Sequence, residues 1–204
     1  IMNIVINGRQ PLVGAVRAPA DKSITHRALM FGALGHGRTE ILAPGAGEDN
    51  HSTADVLRQL GVTIETREHG WVVEGVGPEG LRTPTGPLDC GNSGTTMRLM
   101  TGILAGAGLE ATLVGDASLS RRPMGRVAEP LRKLGASVQG KSLEGREVPP
   151  LTIKPASMQG GSWHQPIASA QVKSCVLLAG LLSGAAVTTY EPTLSRDHTE
   201  RMLR

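Results

Sequence analysis

Self-similarity constrains this chain more than any single motif. Three segments of the 204-residue sequence share one pattern: a polar Lys, Ser or Thr opening, an apolar helix, a glycine-rich stop and a short β-like run. They are Lys22–Leu42, Ser93–Val114 and Ser169–Tyr190. Their starts are separated by roughly 70 to 76 residues, a period of the supersecondary kind. A second helix recurs inside the period. Ala54-Asp-Val-Leu-Arg-Gln-Leu-Gly-Val resembles Ala128-Glu-Pro-Leu-Arg-Lys-Leu-Gly-Ala, and Arg196-Asp-His-Thr-Glu-Arg-Met-Leu-Arg begins a third copy. Leu57 and Leu60, like Leu131 and Leu134, share one face at i, i+3, and Gly61 or Gly135 supplies the stop. Alternating strands follow at Val62-Thr-Ile-Glu and Ala136-Ser-Val-Gln. Each unit reads as strand–helix–strand–helix–strand–strand, so the class is α/β. Three such units are predicted to bury their helices together with sheets on the outside. The third copy stops at Arg204, inside or just after its second helix and without the Leu-Gly stop and strands of the others. The expectation is a piece of a longer protein.

Composition narrows what fills this core and what the surface meets. Hydrophobic residues make up 39% of the chain and aromatics only 2%, which predicts a globular protein with an aliphatic interior. The 27 glycines point to tight turns and close backbone approaches. The formal charge, 21 − 18 = +3, is spread along the chain with no run of five like charges. Nucleic-acid binding favours a dense basic stripe with interleaved aromatics, and neither is present. A modest positive excess suits small anionic substrates if the arginines converge. Cys90 and Cys175 lie far apart in no metal-like spacing and read as reduced, buried thiols of a cytoplasmic protein. No apolar run approaches the roughly 18 residues a membrane helix needs. None of the six His residues makes a metal-ligand pair with useful spacing.

The chemistry concentrates where the long helices open. A helix N-terminus presents free N–H groups and about half a positive charge, and so attracts phosphate or carboxylate. In the first copy Asp21 or Ser23 can cap the helix. Arg27 lies one turn beyond Ser23 on the same face, so Lys22, Ser23 and Arg27 can grip one anion. A capped helix with two solvated cations fits that spacing equally well. In the second copy Gly91 and Gly94 let the backbone approach a ligand and Asn92 can donate from its amide. This is neither a Walker loop nor a nucleophile elbow. Gly75-Val-Gly-Pro-Glu-Gly80 matches a dinucleotide fingerprint, but Pro84 and Pro87 follow where its helix should begin, so the match is accidental. Arg121-Arg122-Pro123 at a loop-to-helix junction can fork onto a phosphate, or be an exposed basic turn. The third copy brings Ser169, Ala170 and Gln171 to a helix start, followed by Arg196. Arg98 and Lys173 read as structural or rim charges.

Lys22-Ser23-Ile-Thr-His-Arg27-Ala-Leu, Gly91-Asn-Ser-Gly94-Thr-Thr-Met-Arg98-Leu, Arg121-Arg122-Pro123-Met-Gly and Ser169-Ala-Gln171 occur in that order. Together they resemble the EPSP synthase (3-phosphoshikimate 1-carboxyvinyltransferase) family over essentially the whole chain. The stretch Ser169–Arg204 looks most like the bacterial class II branch, known for glyphosate tolerance. The resemblance implies the enolpyruvyl transferase fold, two domains of three βαβαββ units hinged around the active site. Residues 1–16 would hold the first strand or strands, belonging with a missing C-terminal domain, and 17–204 the N-terminal domain with its third repeat incomplete. It implies a reaction in which the 5-hydroxyl of shikimate 3-phosphate attacks C2 of phosphoenolpyruvate as C3 is protonated, after which phosphate leaves a tetrahedral intermediate.

Carried over by position, Lys22, Ser23 and Arg27 would bind shikimate 3-phosphate, with Ser169, Ala170, Gln171 and Arg196 completing that site. Lys22, Gly94, Arg122 and Gln171 would hold phosphoenolpyruvate, with Asn92 close by, and Lys22 would be the catalytic residue of this half. The family's proton-transferring carboxylates and lysine lie in the second half, so this chain alone is expected to be close to inactive. No cofactor or metal is implied, and the parent enzyme is expected to be monomeric and cytoplasmic. Leu99 follows Arg98 where many glyphosate-sensitive members carry Pro, whereas Gly94 stays Gly where a tolerant class II enzyme can carry Ala. Glyphosate is an inhibitor candidate, with tolerance left open. The rival UDP-N-acetylglucosamine enolpyruvyl transferase should carry Lys-Asn in place of Lys22-Ser23 and commonly a Cys in the loop before Arg122, where this chain has Ser118 and Ser120. A non-catalytic isolated domain is the other alternative.

Overall fold

Small polar side chains start each long helix of the computed structural model, which describes residues 8, 11, 13–45 and 47–204. The Asp21 carboxylate accepts from the Ile24 amide at 2.8 Å and opens α1 (Lys22–Leu34). The first unit continues through β1 (His36–Leu42), α2 (Glu48–Gln59), β2 (Thr63–Arg67), β3 (Gly70–Val76) and the single turn α3 (Gly77–Gly80). The second runs β4 (Leu88–Asp89), α4 (Gly94–Gly106), β5 (Ala111–Val114), a 3-10 turn at Leu119–Arg121, α5 (Gly125–Lys133), β6 (Ser137–Leu143) and β7 (Arg146–Lys154). The third comprises β8 (Gly161–His164), α6 (Ala170–Ser183), β9 (Val187–Tyr190) and α7 (His198–Met202). Ser93 and Ser169 cap α4 and α6 by accepting from the Thr96 and Val172 amides. Gly61 and Gly135, at φ 94° and 91°, end the second helix of their units in the left-handed region that favours glycine.

Three sheets correspond to the three repeats. The first is antiparallel in the order β1-β3-β2; the second is β4-β5-β7-β6, with β4 parallel to β5 and the rest antiparallel. The pair β8-β9 is parallel and repeats the β4-β5 pairing. The strand expected over residues 1–16 falls largely outside the described residues; those described there (8, 11 and 13–16) lie in no strand. The fingerprint-like Gly75 has a different task. A Cβ there would meet the carbonyl oxygens of Gly32 and Gly35, so it lets β3 press against the end of α1.

Helices lie inside and sheets outside, as the repeat predicts. Every residue of α4 is buried except Thr95 and Arg98, the pattern of a helix apolar on all sides. The strands bury one face and expose the other, as β6 and β7 do. The core is aliphatic, joined by Trp71 and Trp163, and encloses Cys90 and Cys175 as separate thiols. Burial pushes the Cys175 thiol up to about 12 and Cys90 higher, so neither is a nucleophile at neutral pH. No helix among the described residues is long and apolar enough to cross a membrane.

The tightest contact joins α4 to α6. Arg98 meets Gln171, Gly102 meets Cys175 and Gly106 meets Ala179, a constant step along both chains. The two helices therefore run parallel, side by side, with their N-termini at the same end. A Cβ on Gly102 would lie 2.9 Å from the Cys175 carbonyl carbon and closer still to its oxygen; one on Gly106 would lie 2.5 Å from the Ala179 oxygen. Backbone cannot yield as a side chain can. Gly102→Ala gains about 1 kcal/mol of helix propensity, but forcing the helices apart costs up to about 3 kcal/mol of packing. A net loss of about 1–2 kcal/mol is expected as a lower denaturation midpoint. Gly86→Ala, with nothing within 4 Å of the added carbon, is the control and should change the midpoint little.

Candidate functional site

The N-termini of α1, α4 and α6 converge on one cavity of about 200 Å³, lined by Lys22, Ser23, Arg27, Thr95, Ala170, Gln171, Arg196 and His198. Each helix end brings unpaired N–H groups and partial positive charge to the same space. Arg27 is the hub. It is 3% exposed, and its Nε donates to Thr199 Oγ1 at 2.8 Å, its Nη2 to Ser174 Oγ at 2.7 Å and its Nη1 to the Ser23 carbonyl at 3.0 Å. All three partners are neutral. Burial, reinforced by the Arg196 charge, lowers its pKa, yet a guanidinium stays protonated at neutral pH. The charge is thus fixed in place by hydroxyls and a carbonyl, and among the described residues no carboxylate is hydrogen-bonded to it. Arg196 Nη1 donates to Ser23 Oγ at 3.2 Å, adding a second cation to the same wall. Lys22 stands at the rim, its ammonium 2.6 Å from Asp49 Oδ2.

A second cluster surrounds the start of α4. Arg122 Nη2 donates to Asn92 Oδ1, and Asn92 Nδ2 donates to Asp116 Oδ2 at 2.6 Å. Asp116 in turn accepts from the Leu119 amide at 2.7 Å, which with Asn92 holds its carboxyl below the usual carboxylate range. Gly94 lies beneath two guanidinium groups: a Cβ there would be 2.8 Å from Arg98 Nη1 and 3.4 Å from Arg122 Nη1. Arg98 Nη1 reaches Gln171 Oε1 at 2.7 Å and connects this cluster to the cavity.

Of the residues predicted from sequence, Lys22, Ser23, Arg27, Ala170, Gln171 and Arg196 line the cavity, while Asn92, Gly94 and Arg122 form the adjoining cluster. Ser169 lies behind the wall, its hydroxyl accepting from the Val172 amide at 3.4 Å as the α6 cap. Asp21, not Ser23, caps α1, which leaves the Ser23 hydroxyl to Arg196. Arg121 has no side-chain partner among the described residues, unlike its neighbour. Lys173 is structural, as read. It is buried between Glu191 at 2.7 Å and Glu200 at 2.8 Å, whose hydrogen bonds outweigh burial and raise its pKa, and it anchors α7. Arg98 is not a rim charge, since it joins the two parts of the site. The repeat carried that signal unread. Arg27, Arg98 and Ser174 occupy the same position, five residues beyond Lys22, Ser93 and Ser169. Thr95 and His198 were also passed over, because a hydroxyl or imidazole at a helix start has too many ordinary uses.

Beneath the cavity a chain of hydroxyls ties three helices together. His26 Nδ1 lies 2.7 Å from Thr53 Oγ1, Thr53 lies 2.7 Å from Thr96 Oγ1, and Thr96 donates to Ser93 Oγ at 2.7 Å. The imidazole is fully buried, and its Nε2 has no partner among the described residues. Burial, against the partial offset of Asp49 and with help from Lys22 and Arg27, pushes its pKa down to about 4. The ring is neutral at physiological pH.

The family model described as EPSP synthase (3-phosphoshikimate 1-carboxyvinyltransferase) matches residues 6–204. The 3-phosphoshikimate 1-carboxyvinyltransferase of Synechococcus sp. (strain RCC307) is 52% identical over 205 residues, covering 99% of this chain and 46% of that protein. That of Geobacillus kaustophilus (strain HTA426) is 52% identical over 195 residues, covering 95% of this chain and 45% of that protein. The solved structure of EPSP synthase from Acinetobacter baumannii is similar with a TM-score of 0.87 at 44% identity, over 94% of this chain and 43% of that one. The chain spans about half the length of the curated relatives it matches.

The buried imidazole makes stability depend on pH. An unfolded histidine titrates near 6.5 and folded His26 at about 4, so between these values the unfolded chain binds more protons and stability falls as pH falls. The expected loss from this group is about 3 kcal/mol across that window. Denaturant midpoints of the wild type and His26→Gln, measured from pH 7 to pH 4, should converge as acid is added. Parallel curves would assign the acid sensitivity to the carboxylates instead.

Proposed function

Because the chain belongs to the EPSP synthase family, we propose that it supplies the anion-binding half of an enzyme that moves the enolpyruvyl group of phosphoenolpyruvate to the 5-hydroxyl of shikimate 3-phosphate. The observation that carries this reading is the wall of Arg27 and Arg196 at converging helix N-termini, where among the described residues no carboxylate is hydrogen-bonded to either guanidinium. Such a wall is complementary to a phosphate dianion. The 3-phosphate is read as lying against Ser23, Arg27 and Arg196, with Ala170 and Gln171 closing the site and Ser169 holding α6 in place. Phosphoenolpyruvate is read as lying against Arg122, Asn92 and Gly94, with Lys22 and Gln171 between the two anions.

In this reading Lys22 leaves Asp49 for the substrate phosphate, which stabilises charge as phosphate departs from the tetrahedral intermediate. Attack of the 5-hydroxyl on C2 forms the C–O bond and gives up the hydroxyl proton to a base, while an acid adds a proton to C3 in place of the C2–C3 double bond. Loss of phosphate with a proton from the C3 methyl group restores the double bond. The acid and base for these transfers are read as belonging to the remaining half of the relatives' length, with residues 1–16 assigned to that half's domain and 17–204 to this one. The enzyme is read as a monomer and as cytoplasmic, the second of which its two separate, buried thiols support. Glyphosate is proposed to compete at the Arg122 end.

Calorimetric titration of this chain with shikimate 3-phosphate, against shikimate as control, tests the acceptor site. Phosphate-dependent binding should weaken about tenfold to a hundredfold in Arg196→Ala, the loss of one charge-assisted hydrogen bond. Equal affinity for shikimate and its phosphate would overturn the assignment. For the donor site, Arg122→Ala should weaken phosphoenolpyruvate binding by a similar factor and leave shikimate 3-phosphate nearly unchanged. Turnover by the chain alone should be close to background, and should appear when the remaining half is added.

A further inference from the structure

Arg98 is a charge in an unusual position. It is half-buried, its Nε is enclosed without a partner, and among the described residues its one side-chain hydrogen bond goes to the Gln171 amide. Burial, then repulsion from Arg126 and Arg122, lowers its pKa to about 10, so it remains a cation at neutral pH. A guanidinium has donors only. The Gln171 atom 2.7 Å from Arg98 Nη1 must therefore be the carbonyl oxygen, and the amide nitrogen must face the other way. There Gln171 Nε2 donates to Thr95 Oγ1 at 2.9 Å. The Thr95 hydroxyl accepts in that bond, so its own proton is left to donate, and among the described residues no acceptor takes it. Gln171 and Thr95 both line the cavity. Within α4 the unburied residues are Thr95 and Arg98 alone, the two ends of this chain.

We infer that Arg98 is a positioning residue that locks Gln171 and Thr95 into donor orientations, so that a hydroxyl absent from the predicted site becomes a ligand for the bound anion. The mechanism is directional. The cation donates to the amide oxygen, the amide nitrogen donates to the hydroxyl oxygen and the hydroxyl proton is left pointing ahead, so that each bond polarises the next. Without the cation the Gln171 amide is free to turn over, presenting a carbonyl oxygen to the anion and releasing Thr95 from its accepting role. Two neutral side chains would then serve an acceptor ligand as readily as a donor ligand. Gly94 belongs to the same device, because a Cβ at that position would lie 2.8 Å from Arg98 Nη1.

The inference rests on the proposed reading for the identity of the anion, and two measurements keep the two apart. The first needs no ligand. In the nuclear magnetic resonance spectrum of the ¹⁵N-labelled chain, the Gln171 side-chain amide pair, assigned by its absence in Gln171→Leu, should sit away from free glutamine values. It should move toward them in Arg98→Met. An unmoved pair in a folded Arg98→Met overturns the locking. The second is a double-mutant cycle read by shikimate 3-phosphate affinity. Arg98→Met and Gln171→Leu should each weaken binding about tenfold, and the double variant should bind no worse than Gln171→Leu alone. Additive losses would mean that Arg98 acts as an independent charge and would overturn the inference. Thr95→Val should cost a similar factor and Thr95→Ser little; equal affinities for the two would remove Thr95 from the site. If the wild-type chain binds no shikimate 3-phosphate while the Gln171 pair moves as expected, the proposed substrate fails and the positioning role stands.

Discussion

The parallel contact of α4 with α6 is the constraint on which the site depends. Parallel helices align their dipoles, an arrangement that is unfavourable by itself and that burial of apolar surface must offset. Gly102 and Gly106 make that burial tight by admitting the Cys175 and Ala179 backbone. The consequence is functional. Because the helices run side by side in the same direction, the start of α4 and the start of α6 open at one end, and α1 adds a third. Antiparallel packing would bury the same area and place the positive ends on opposite sides.

Charge pairing separates the structural cations from those available to a ligand. Lys173 is buried against two carboxylates and anchors α7, which carries Thr199 and follows Arg196. Arg27 and Arg98 are also withdrawn from water, but their hydrogen-bond partners are hydroxyls, a carbonyl and an amide. A buried cation with no hydrogen-bonded carboxylate costs free energy, which for Arg27 the nearby Glu200 and Asp21 charges offset only in part. An anion entering the cavity would recover part of that cost, which supports the proposed anion-binding role. The neutral His26–Thr53–Thr96–Ser93 chain beneath is consistent with this economy, since a protonated imidazole there would add a further unpaired cation.

Much of this was legible in the sequence, and the residues show why. The three repeats end on Leu42, Val114 and Tyr190, the last residues of β1, β5 and β9, because glycine stops and alternation act over a few neighbouring positions. The helix starts at Lys22, Gly94 and Ala170 were readable from their caps for the same reason. Ser23 and Asp21 were not separable, since both offer an oxygen to the same amides and only backbone geometry chooses between them. Arg98 could not be told apart as structural or rim from sequence, because its partner Gln171 lies 73 residues away and no local spacing contains that distance.

By itself the sequence determined the repeating α/β units, the polar helix openings and the inventory of donors, all of which follow from short-range capping, periodicity and residue chemistry. Only the tertiary structure decided which donors line one cavity. Arg27 reaches Thr199 across 172 residues and Arg196 reaches Ser23 across 173, pairings fixed by the register of packed helices. That register is set by where backbones can touch, a property of two surfaces together that neither segment specifies alone.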